Sequence, residues 1–147
     1  MKGVHPYLNF DGNTREAFDF YRSVFGGDFV GVYTFRESGG EAWGVPEADL
    51  DKIMHIALPI GGGVLLMATD VLQSQGQRLT PGNNYYVMLD VESADEADRL
   101  FNGLKEGGSV EMEIGEVDWA ERYGICRDRW GIQWMINYSG NKGDLAA

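Results

Sequence analysis

Two histidines, one cysteine and a few carboxylates are the side chains here that could move a proton, attack an electrophile or hold a metal. His5 stands just before Pro6, and His55 sits within KIMHIAL. An imidazole titrates near neutral pH, so either ring could act as an acid or base, or as a neutral metal ligand. Strand alternation puts Ile53, His55 and Ala57 on one face and Met54, Ile56 and Leu58 on the other. If the His55 face is concave, His55 is a catalytic group or a second imidazole beside His5. The structural alternative makes His55 a half-buried ring with one hydrogen bond, and His5 a strand-start residue at the rim. Cys126, in YGICRD, has no histidine nearby in sequence and reads as a small core hydrophobe rather than a nucleophile. Trp119, Arg122 and Tyr123 cluster in VDWAERYG. Arg122 could grip a carboxylate or phosphate with two parallel hydrogen bonds, or pair with Glu121 or another surface acid. Asp70, Glu111 and Glu113 are the nearest carboxylates by strand pattern.

These groups need a scaffold, and the sequence writes one twice. A strand at residues 4–10 leads to Asn13 and then Glu16, the pattern of a capping box. Ala17, Phe20, Tyr21, Val24 and Phe25 follow at helical spacing, and Gly26-Gly27 stops the helix. Strands are predicted at 29–35, 52–59 and 63–68, the last two joined by a glycine turn at 61–63. That turn lacks the following helix and Lys-Ser/Thr pair of a phosphate loop. The second copy has a strand at 85–91, a Ser93-x-x-Glu96 box and a helix face of Ala97, Leu100, Phe101 and Leu104. Strands at 110–114, 122–128 and 132–138 complete it, and 139–147 is a polar tail expected to fray. The helices superpose at a shift of 80 and the preceding strands at 81. Two βαβββ modules, at 4–68 and 84–138 of a single domain, thus predict an α+β fold with a shared concave surface and helices outside. The loop at 37–50 is long and acidic, and its Trp43 either covers a ligand or packs on its own domain.

Composition limits the partners. The formal charge of −11, with no basic cluster, disfavours nucleic acid and anionic membranes. No apolar run approaches the ~20 residues of a membrane helix, and one cysteine forms no internal disulfide, which together predict a cytoplasmic protein. Four Trp, seven Tyr and seven Phe are enough to line a pocket as well as fill a core.

The duplication, with FDFYRSVFGG early and DRWGIQWMIN late, resembles the vicinal oxygen chelate superfamily of glyoxalase I, extradiol dioxygenases and bleomycin and fosfomycin resistance proteins. Over residues 4–138, PYLNFDGNTREAFDFYRSVFGG, DKIMHIAL, LLMATD and WAERYGICRDRWGIQWMIN resemble its PhnB-like branch, often labelled 3-demethylubiquinone methyltransferase-like. The resemblance implies a curved mixed-sheet cup, a homodimer, and four metal positions on the first and last strand of each module. Those positions fall on His5, Met67, Tyr86 and Met135. Thioether sulfur is a poor ligand for a hard divalent cation. The expectation is therefore a binder of a small organic molecule, through Trp43, Tyr86, Met67, Trp119, Arg122, Tyr123 and Met135, with no cofactor. The alternative is a glyoxalase-like enzyme that acts on adjacent oxygens through His5 and His55, with a non-standard divalent metal held in part by His5 or with no metal. Methyl transfer is disfavoured, because no glycine-rich strand-to-helix turn on a parallel sheet is present.

Overall fold

A computed structural model describes residues 1–143, which form two compact units, one ending at Thr80 and the other beginning at Pro81. The first unit runs β1 (Tyr7–Phe10), α1 (Thr14–Phe25), β2 (Gly31–Thr34), β3 (Ile53–Gly61) and β4 (Val64–Asp70). Its strands lie in the order β1-β4-β3-β2. The second runs β5 (Val87–Asp90), α2 (Ala94–Leu104), β6 (Ser109–Val117), β7 (Ala120–Arg127) and β8 (Gln133–Tyr138), in the order β5-β8-β7-β6. In each sheet the first and last strands pair in parallel and the other pairs are antiparallel. Tyr7 lies opposite Met67 as Met88 lies opposite Met135, so the predicted repeat holds down to the strand register. The fold is α+β with duplicated βαβββ modules, as the sequence predicts.

Each sheet buries one face under its helix. In the first unit Thr14, Ala17, Phe18, Tyr21 and Val24 of α1 are buried, with Leu8, Phe10, Ile56, Leu58, Leu66 and Ala68 also in the core. Phe18, absent from the expected stripe, is fully buried, whereas Phe20 and Phe25 are only partly covered. Phe18 falls four residues after Thr14 and three before Tyr21, at the centre of the face. In the second unit Leu100 and Phe101 share the core with Cys126, Trp134 and Ile136. Glycine at 124 permits this packing, since a Cβ there would stand 2.9 Å from the Phe101 ring.

The two helix starts differ. Ser93 accepts from the Glu96 amide at 3.0 Å, as the S-x-x-E pattern predicts. Asn13 makes no side-chain cap, contrary to expectation. Its place is taken by Asp70 at the end of β4, which accepts from the Thr14 amide, the Thr14 hydroxyl and the Ile53 amide at 3.1, 2.6 and 2.8 Å. Asp70, a candidate carboxylate by strand pattern, is 2% exposed and wholly committed to joining α1, β3 and β4. Asp128 does similar work before β8, accepting from the Trp130 and Ile132 amides and from Trp134 Nε1.

The acidic loop is ordered around its own small core of Phe35, Val45, Leu50 and Leu72. Arg36 ties it down by pairing with Glu41, Glu47 and Asp51. The tail expected to fray turns back through Asn141 and Lys142, which contact Glu121 and Glu116. Residues 144–147 lie outside the described residues.

Two measurements check these roles. Asp70→Ala leaves three buried donors unpaired and should lower unfolding stability by about 2–4 kcal/mol, read by urea denaturation. Asn13→Ala, which removes no capping bond, should cost under about 0.5 kcal/mol. Burial pushes the Cys126 thiol up to about 12, so at pH 8 it stays protonated. Native protein should then resist iodoacetamide by mass spectrometry, and urea-unfolded protein should take one adduct.

Candidate functional site

Strand alternation leaves the other face of each sheet free of its helix, and the chemistry-bearing side chains gather there. In the first unit the Tyr7 ring reaches from β1 across β4, and its hydroxyl stands 3.0 Å from His55 Nδ1 on β3. Tyr33, opposite His55 on β2, stacks on the imidazole with ring centroids 6.4 Å apart. The result is a Tyr7–His55–Tyr33 row beside Met67. Tyr7 and Tyr33 are about half exposed, and burial raises the Tyr7 phenol above its ordinary pKa. His55 is half-buried and keeps Nε2 for another partner. A bulge keeps it there. Thr34 opposes Ile53 while Tyr33 opposes His55, so Met54 is the extra residue and Ile53 drops out of the predicted alternation into the core.

His5 does not join this row. Its Nδ1 accepts the Leu65 amide at 2.9 Å, so the neutral ring carries its proton on Nε2. His5 is therefore level with Leu65, whereas His55 adjoins Ile56, which opposes Ala68. Four residues of strand separate those levels, roughly 13 Å at 3.3 Å per residue.

In the second unit Tyr86, just before β5, reaches across to β6. Its hydroxyl donates to the Glu111 carboxylate on β6 at 2.8 and 2.9 Å, and that carboxylate raises the phenol's pKa. Arg127 on β7 donates to Gln133 Oε1 at 2.8 Å, and Gln133 Nε2 in turn donates to the Tyr85 carbonyl at 2.6 Å. Tyr86, Glu111, Arg127 and Gln133 border a recess of ≈ 120 Å³ with Ile125 and Val110. Further along the face Tyr123 donates to Met135 Sδ at 3.5 Å, and Trp119 meets the Tyr123 ring edge-on at 5.1 Å.

The remaining candidates lie apart from these groups. Arg122 alternates with Tyr123 on β7 and pairs with Asp98 of α2 at 3.2 Å, on the helix side of the sheet. Trp43 is 55% exposed on its loop. Arg127 and Gln133, and likewise Tyr7 and Tyr33, escaped sequence reasoning as site residues, whereas Glu111 is a nearby carboxylate by strand pattern. The period-two runs Tyr123-Ile125-Arg127 and Gln133-Met135-Asn137 carry the signal that could have found Arg127 and Gln133.

The four positions implied by the resemblance can be tested as a metal set. They present one imidazole with Nδ1 already accepting an amide, two thioethers and a phenol held by Glu111. This donor set does not fit a hard divalent cation, which takes imidazole and carboxylate oxygen. Among the described residues no three of His, Cys, Asp and Glu come together elsewhere.

Known proteins place the chain. Protein YjdN of Escherichia coli K12 is 30% identical over 91% of this chain and 93% of its own length. Protein PA1353 of Pseudomonas aeruginosa superposes with a TM-score of 0.80 at 39% identity, over 92% of this chain and 96% of that one. A PhnB protein of Bacillus cereus, titled a putative 3-demethylubiquinone-9 3-methyltransferase, shares the fold with a TM-score of 0.71 at 21% identity, covering 92% of this chain and 98% of that one. No described helix is long and apolar enough to cross a membrane. The sequence pattern of the Glyoxalase/Bleomycin resistance protein/Dioxygenase superfamily matches residues 3–136, and the chain belongs to that superfamily.

Proposed function

We propose that this protein binds a small organic molecule against the helix-free faces of its sheets, without the four-ligand metal site of its superfamily. The observation that carries the reading is the donor set: Met67, Met135, Tyr86 and an amide-bonded His5 at the four positions. Each unit by itself offers flat apolar area with polar tips on its helix-free face. In the first unit Met67 contributes to that face and His55 supplies a polar contact through Nε2, and in the second Tyr86, Tyr123, Trp119 and Met135 contribute. Trp43 and Arg122 stay in the proposal as peripheral groups, the first through its exposure and the second only if it leaves Asp98. Two copies of the chain form the working unit, as the superfamily resemblance implies.

A second reading has one observation in its favour. The Tyr7–His55 hydrogen bond joins two groups that exchange protons and would suit acid/base chemistry on a substrate with adjacent oxygens. It would rest on His55 and Tyr7, since His5 is level with Leu65, four strand residues from the level of His55.

Thermal unfolding tests the first reading, because a ligand that prefers the folded state raises Tm by linkage. Saturating Mg²⁺, Mn²⁺, Ni²⁺ or Zn²⁺ should move Tm by under about 1 °C, whereas an organic adduct seen by native mass spectrometry should vanish on unfolding. A rise of several degrees with one ion, abolished by His5→Ala, would overturn the metal-free reading. Light scattering should give twice the 16.3 kDa chain mass.

A further inference from the structure

We propose that the recess of the second unit recognises the headgroup of a zwitterion, a carboxylate beside an ammonium, with Arg127 taking the first and Glu111 the second. The proposal rests on the binding function argued above and names the chemistry of its ligand.

Arg127 and Glu111 line the same recess, yet among the described residues neither forms an ion pair. Opposite charges on one small cavity wall ordinarily meet, since an exposed pair gains up to ~1 kcal/mol. Here each is restrained by a neutral partner. Gln133 accepts from one arm of the Arg127 guanidinium, and Gln133 is itself fixed through the Tyr85 carbonyl. Tyr86 donates to both oxygens of Glu111 from the opposite end of the sheet order. Gln133 is buried, and its two hydrogen bonds fix the side on which the guanidinium is held. The guanidinium retains further N–H donors in a planar fork suited to a carboxylate. Glu111 retains acceptor lone pairs beyond the single Tyr86 proton.

Charge selects the ligand class. A simple anion would gain Arg127 but face the Glu111 carboxylate, and a simple cation would meet the converse. A molecule with both charged groups on one carbon satisfies both walls, and its own neutrality suits a chain of charge −11. Size selects the part of the ligand that enters. At ≈ 120 Å³ the recess is well below the ~300 Å³ at which pockets for whole drug-sized ligands begin, so it takes a headgroup. Ile125 and Val110 offer apolar contact to the carbon that carries the two charges.

Three small probes test the proposal: glycine, acetate and methylammonium, titrated against the whole chain by amide NMR. Glycine should produce saturable shifts at Glu111, Arg127 and Gln133, with acetate and methylammonium at least tenfold weaker. Arg127→Gln and Glu111→Gln should each weaken glycine at least tenfold with the rest of the spectrum unchanged, which also shows that both variants fold. Acetate binding as well as glycine, an undiminished Glu111→Gln titration, or no shift up to about 100 mM glycine would each overturn the zwitterion recess. Should glycine fail while a co-purifying molecule perturbs Tyr7, Tyr33 and His55 instead, the recess is refuted and the binding function stands. A chain with no organic ligand at any of these residues loses both.

Discussion

Period-two alternation under a single helix is the constraint from which the rest of each unit follows. One helix can cover one face of a four-stranded sheet, and only alternate residues reach that face. Leu8, Phe10, Ile56, Leu58, Leu66 and Ala68 are held to apolar types by burial beneath α1. Their neighbours Tyr7, His55 and Met67 carry no such obligation. The same division on β7 sends Arg122 towards Asp98 of α2 and Tyr123 to the other side. A residue's capacity for chemistry in this protein is therefore decided first by its parity on a strand. Its chemical type matters only afterwards.

Buried carboxylates then fix the geometry that parity alone leaves loose. Asp70 closes β4 against the start of α1 and β3 through three hydrogen bonds. Asp128 holds the turn into β8 and the indole of Trp134. Bonds from amides to a buried carboxylate are charge-assisted and depend on direction, so they set strand ends within narrow limits. Within the same unit as Asp70, Tyr7 lies opposite Met67 and reaches His55.

The sequence reveals what is local or repeated. Both helices, the eight strands and the duplication are visible because helical spacing, alternation and an 80-residue echo survive in one dimension. The Ser93 cap is legible for the same reason. The Asp70 cap is not, since 56 residues separate it from Thr14. Nor is the bulge at Met54, which shifts Ile53 by one position without any glycine or proline to announce it. Of the site, His55 was visible by type, and its companions Tyr7 and Tyr33 were hidden among many tyrosines. The pairing of Tyr86 with Glu111 spans the width of a sheet, a distance no pattern along the chain encodes.

The helix-free tyrosines bear on how such a chain can change over time. Tyr7 corresponds in the repeat to Met88 and not to Tyr86, and the two tyrosines end on different partners, an imidazole and a carboxylate. The two halves keep one backbone while their uncovered faces differ, because exchanging an uncovered side chain disturbs little of the packing beneath. Each half can acquire a new specificity while its twin retains an old one. A doubled scaffold of this kind is a store of evolutionary latitude, with stability kept on one face and novelty tried on the other.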